Sequence, residues 1–133
     1  MKRVDIYFLL LATVLLVCGA TLGIVMGSRE DFTLVPVHAH LNLAGWASLA
    51  LFGLTYRAYP QLAATKLATY HFFVSGVGSI LLPIGIGLAV LRNEPGLAIV
   101  ASLLWLIGVL MFLAQLIRLV TAREAAPAAF PAE

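Results

Sequence analysis

The sequence predicts an all-α membrane protein, a four-transmembrane-helix up-down bundle, and three observations carry that expectation. First, 62% of the 133 residues are hydrophobic and only 11% are charged, with a mean hydropathy of +1.05. Soluble domains run nearer half apolar and a quarter charged, so the bilayer is the solvent this chain requires. Second, residues 4–27, 37–59, 67–91 and 96–120 form four apolar stretches, and about 20 residues of helix suffice to cross a hydrocarbon core. Third, the polar connections between them are short, which sets neighbouring helices antiparallel. Backbone groups in lipid must pair within their own segment, and the alternating polarity of a β-barrel is missing.

The stretches can be taken in order. The first follows Lys2 and Arg3 but is too long for a signal-peptide core and has no Ala-x-Ala site, so it stays as a helix. Its Cys18 has no mate, which removes disulfides and thiolate clusters within one chain. The second opens with Pro36, suited to a first helical turn. The third carries Ser75, Gly76, Gly78, Ser79, Gly85 and Gly87 around Pro83, a density of small residues expected to let helices approach closely. The fourth holds Gln115, expected to hydrogen-bond between helices. Residues 1–121 make the transmembrane domain, and 122–133, rich in Ala with Pro127 and Pro131, read as a disordered, solvated tail.

Lys2, Arg3, Arg57, Lys66, Arg118 and Arg123 fall on one side of such a bundle, against Arg29 and Arg92 on the other. The positive-inside bias makes both termini cytoplasmic, in what is expected to be a bacterial inner (plasma) membrane. The net charge is +2 without a basic run, so nucleic acid is not a partner to expect. No Ser-His-Asp or Cys-His set can be assembled, and no carboxylate is expected at membrane depth.

Strongly polar groups at membrane depth mark function. They are His38, His40, Asn42, His71 and Gln115. His38 and His40 lie two residues apart, about 200° around a helix, so one helix cannot clamp one ion with both. The spacing instead offers one imidazole to each of two sides. His38, Asn42, Gly45, Leu49 and Phe52 line one face; His40, Ala44, Ala47 and Leu51 line the other. Small residues beneath each imidazole leave room for a flat ligand, and Trp46 lies near enough to border it. Neutral imidazoles near a helix start serve iron, copper or zinc. His71 is expected at the opposite membrane surface, outside this site.

The run from His38-Ala39-His40 through Leu41-Asn42-Leu43-Ala44-Gly45-Trp46 resembles the heme-ligand helices of heme-copper oxidase and nitric-oxide reductase catalytic subunits. Those subunits are rings of twelve helices, readable as three four-helix units. In one unit, the second helix carries a His-x-His whose members ligate two different hemes. The resemblance implies that this chain is one such unit, that three copies close into a ring, and that His38 and His40 bind heme b between neighbouring chains. It covers four helices in outline and about ten residues in detail. The three-His copper site, His-Pro-Glu-x-Tyr and an acidic proton channel have no counterpart here, so no oxygen-reducing centre is implied. Electron transfer, heme handling and gas sensing are the roles that fit, with the redox partner unspecified. Anionic heme propionates at the outer face would meet Arg92 in preference to Arg29, which competes with Glu30 and Asp31. Two alternatives stand beside this reading. Copper or zinc could be bound by the same histidines from several chains, or the chain could be a structural or assembly subunit without a cofactor.

Overall fold

A computed structural model describes residues 3–124, and among them every regular element is helical. Helix α1 spans Val4–Arg29, α2 Val35–His40, α3 Ser48–Ala58, α4 Pro60–Ala63, α5 Lys66–Arg92 and α6 Gly96–Glu124. Between α2 and α3, Leu41–Ala47 winds as a π-helix, so six, seven and eleven residues run end to end where a uniform α-helix was expected. The α1, α5 and α6 helices are each long and apolar enough to cross a membrane. Helix α6 continues through Glu124, past the expected start of the tail at 122; the rest of that tail lies outside the described residues.

The chain turns where its residues permit. Glu30 and Asn93 close α1 and α5 in the left-handed region, with φ of 52° and 58°, and return their N–H groups to the preceding turn. Pro36 sits in the first turn of α2, as its missing N–H allows. Thr65 caps α5, its hydroxyl accepting the Ala68 N–H at 3.2 Å.

Close contacts give the helix directions. Along α1, Asp5, Leu15, Gly19 and Gly23 meet Gly53, Gly45, Asn42 and His38 in turn, so the α2–π–α3 segment runs against α1. Along α5, Gly85, Gly78 and Ser75 meet Ala98, Trp105 and Gly108, so α6 runs against α5. Phe8 touches His71 and Leu11 meets Gly76, so α1 and α5 run the same way. The loops at 30–34 and 93–95 therefore share one end, here the loop end. Asp5, Tyr59 and Thr65 share the other, the termini end.

Small residues make these approaches possible, as the third stretch led us to expect. A methyl group on Gly78 would lie 3.0 Å from the Trp105 backbone, and one on Gly85 would collide with the Ala98 backbone. Between apolar helices in lipid, close packing replaces the hydrophobic drive as the source of association. The core holds Val4, Phe8, Ala12, Leu15, Leu49, Phe52 and Tyr56. Leu10, Val17, Ile24, Val100, Leu103 and Leu110 remain more than half exposed, the outward apolar surface that lipid would cover.

Candidate functional site

The two histidines of α2 do point to opposite sides. His38 lodges against α1, its Nδ1 2.9 Å from the Gly19 carbonyl oxygen, in a notch where a methyl on Gly23 would come within 2.8 Å of the ring. His40 faces the other way and lines a cavity of about 350 Å³ with Ala39, Ala44, Ser48, Leu82, Ser102 and Trp105. Its Nδ1 lies 2.7 Å from the Pro36 carbonyl oxygen. A carbonyl can only accept, so in both rings Nδ1 carries the proton and Nε2 keeps its lone pair. Metal-ligating histidines are commonly oriented this way, by a carbonyl holding the far ring N–H.

The π-helix directly follows. Asn42 Nδ2 donates to the His38 carbonyl at 2.8 Å, an acceptor that a regular turn would give to the Asn42 N–H. Ser48 Oγ donates to Leu43 O at 2.8 Å, five residues back, which matches the wider pitch. Ala44 O accepts from two other helices, from Ser79 Oγ at 3.1 Å and Trp105 Nε1 at 3.3 Å. These bonds pin the floor of the cavity below His40 to both α5 and α6. Turns of π-helix recur at functional sites because they re-aim the residues around them.

The remaining expected site residues divide between the two sides. Asn42 packs on Gly19, and Gly45 lies under Leu15, both toward α1. Trp46 is 42% exposed and does not line the cavity; Trp105 of α6 is the tryptophan that borders His40. Arg92 is exposed at the end of α5 and forms no ion pair among the described residues. In the neighbouring loop, Asp31 accepts from Thr33 Oγ1 at 2.6 Å and Thr33 N at 3.0 Å, bonds that hold its carboxyl below the usual range. No three His, Cys, Asp or Glu side chains converge among the described residues.

The termini end holds two buried polar groups. His71 is completely buried within the protein, with Tyr56 Oη 2.9 Å from its Nδ1. Phe8 of α1, Phe52 and Tyr56 of α3 and Phe112 of α6 surround it, with ring centroids 4.7 to 5.8 Å away. Asp5, in the first turn of α1, is also buried, and its carboxylate pairs with Arg57 at 3.1 Å and Arg3 at 3.7 Å. Gln115 does link segments as expected, donating to Thr65 Oγ1 at 2.8 Å. Only the tertiary fold brings Tyr56, His71 and the three phenylalanines together, so no local sequence signal reports the cluster. No known protein family, curated protein or solved structure matches this chain.

Proposed function

We propose that the chain is a four-span membrane protein, with both termini cytoplasmic and the loop end outward, that binds b-type heme between copies of itself. The observation that carries this reading is the pair of Nδ1-anchored imidazoles directed to opposite sides of one segment. His40 at its cavity and His38 of a neighbouring copy, swung off its own α1, would be the residues that hold the group. With no third ligand nearby among the described residues, a shared site is the economical way to complete coordination.

The residues around His40 fit the edge of a macrocycle. Ala39, Ala44, Ser48 and Ser102 keep the wall low, while Leu82 and Trp105 give apolar contact. A cavity of about 350 Å³ lies at the small end of ligand sites, so the remaining ring surface would rest on the neighbour. Three copies closing head to tail would satisfy every His38 and His40, which is how a heterologous contact reaches closure. Arg92, exposed at the loop end, would be the cation that meets the propionates. When bound, heme would supply a one-electron couple, and two imidazoles would leave its iron no open position. Electron transfer, heme handling or sensing then suits the site better than oxygen chemistry. The resemblance to one unit of a heme-copper oxidase ring supports the same reading.

The test is an optical spectrum of the detergent-solubilised protein made with ample heme. An intense Soret band that His40→Ala and His38→Ala each abolish or shift to high spin supports it. Zinc or copper retained without that band would favour the metal-only alternative, and neither would favour a structural subunit. Reporter tags at both termini should read cytoplasmic, because six of the eight Lys and Arg fall on that side; a periplasmic C-terminus would overturn the four-span topology.

A further inference from the structure

Three side-chain atoms at the heart of the termini half are buried without a hydrogen-bond partner: His71 Nε2, Ser75 Oγ and Gln115 Oε1. Buried polar atoms are nearly always satisfied, and in a polar site the usual missing partner is an internal water. His71 and Ser75 stand one helical turn apart on α5, roughly 5 to 6 Å between Cβ atoms. One water making two hydrogen bonds of about 2.8 Å spans such a gap.

This cluster has a way in. A cavity of about 750 Å³ opens at the termini end, lined by Arg3, Asp5, Tyr56, Arg57, Pro60 and Ala63 among others. Tyr56 belongs to both places, lining the cavity and holding His71 Nδ1 with its hydroxyl. Asp5, Arg3 and Arg57 make the mouth charged, and the Gln115 carboxamide faces the Tyr56 hydroxyl from α6.

It also has an end. One turn beyond Ser75, the hydroxyl of Ser79 donates to Ala44 O, which Trp105 Nε1 also occupies. A carbonyl accepts but passes no proton onward, and Gly78 and Gly85 press α5 onto the α6 backbone beside it.

We propose that Tyr56, His71 and Ser75, with Gln115 alongside, form a hydrated proton relay that opens only at the termini end and stops below Ser79. The step balances at each atom. A hydronium in the cavity gives its proton to Tyr56 Oη as Oη passes its own to His71 Nδ1; water remains behind and the imidazole becomes imidazolium. Nε2–H hydrogen-bonds the bridging water, which donates to Ser75 Oγ; with no acceptor beyond, the added proton stays on the imidazolium and leaves again through Tyr56 Oη to the cavity water. Phe112 stacks on the His71 ring, centroids 5.6 Å apart and planes 22° apart, which gives an imidazolium one π-face to rest on. Among the described residues packed on His71, Phe8 comes from α1, Phe52 and Tyr56 from α3, and Phe112 from α6, so Tyr56 is the titratable contact. Asp5, Arg3 and Arg57 are the charged groups at the entrance.

The proposal stands apart from heme binding and is tested without it, on ¹⁵N-histidine-labelled protein in lipid vesicles by solid-state NMR. His40→Gln and His38→Gln assign the three rings. The expected result is magnetisation transfer from water to the His71 ring, with ring N–H exchange in D₂O slowed at least tenfold by Tyr56→Phe. Ser75→Ala should weaken the water contact at Nε2 and leave the Tyr56 bond in place. A wild-type His71 ring without water contact, its N–H surviving for days in D₂O, would overturn the relay. So would unchanged exchange in Tyr56→Phe. If that variant does not fold, water contact in the wild type decides alone. A proton flux through the vesicles above protein-free controls would overturn the closed end.

Discussion

The histidines at the two ends of the molecule are held in contrasting ways. His38 and His40 at the loop end are partly exposed and fixed by backbone carbonyls, at Gly19 and Pro36. His71 at the termini end is buried beside four aromatic rings and fixed at Nδ1 by a tyrosine hydroxyl, with Nε2 left to the proposed water. The Pro36 carbonyl leaves His40 Nε2 turned to its cavity, whereas His38 Nε2 has the Asn42 amide nitrogen 3.5 Å away in its own chain. A side-chain anchor in a packed cage makes the histidine part of the core. The contrast separates the two properties that a histidine substitution can damage, ligand binding and stability.

The largest expected effect follows from that separation. His71→Ala removes a buried ring and leaves the Tyr56 hydroxyl without its partner, which together should cost about 3–5 kcal/mol. Its heme signal, measured in the protein that still folds, should be nearly unchanged. His40→Ala should do the reverse, abolishing the Soret band while costing under about 1 kcal/mol, because its ring is partly exposed and its bond is local. Thermal unfolding in detergent beside the optical spectrum reads both. Equal loss of heme from His40→Ala and His71→Ala would break the contrast and place a ligand at the bilayer centre.

Next in size is Arg92→Leu. Loss of one sheltered guanidinium contact to a propionate should weaken heme binding about tenfold, equivalent to roughly 1.4 kcal/mol. Unchanged affinity would leave the loop end with imidazoles as its only polar contacts. Stability should not move in either case, since Arg92 is exposed and forms no ion pair among the described residues.

The same contrast explains what was legible from the residues. The three long apolar helices α1, α5 and α6 follow from hydropathy, and the opposed faces of His38 and His40 follow from a spacing of two on one helix, so both could be read locally. The cage around His71 needs Phe8, Phe52, Tyr56 and Phe112 from three other helices, and no local pattern reports that convergence. Asp5 was hidden similarly: its burial depends on Arg57, 52 positions along the chain. The π-helix was out of reach for a different reason. Its pitch is set by competition among the Asn42 and Ser48 side chains and the backbone for the His38 and Leu43 carbonyls, and alternatives differing by about one hydrogen bond are not separated by composition. The swap of Trp46 for Trp105 at the His40 cavity is a tertiary outcome of the same segment, because α6 delivers Trp105 to the Ala44 carbonyl.

The smallest expected effects concern that carbonyl, where the loop half is tied to the helices of the termini half. Ala44 O takes a donor from Ser79 and another from Trp105. A neutral hydrogen bond is worth about 0.5–1.5 kcal/mol net, whereas a buried acceptor left unmatched costs about 1–3 kcal/mol. Either Ser79→Ala or Trp105→Phe leaves one side-chain donor in place, so each alone should lower stability by under about 1 kcal/mol. Together they strip both, and the double variant should lose more than the sum by at least ~0.5 kcal/mol. Thermal unfolding of the four proteins in one detergent closes the cycle. Additivity within error would mean that the carbonyl draws its satisfaction from the backbone of the π-helix itself, and that α5 and α6 hold the floor of the His40 cavity by packing alone. Coupling would mean that the two donors substitute for one another, so that the cavity floor keeps its position when either helix shifts.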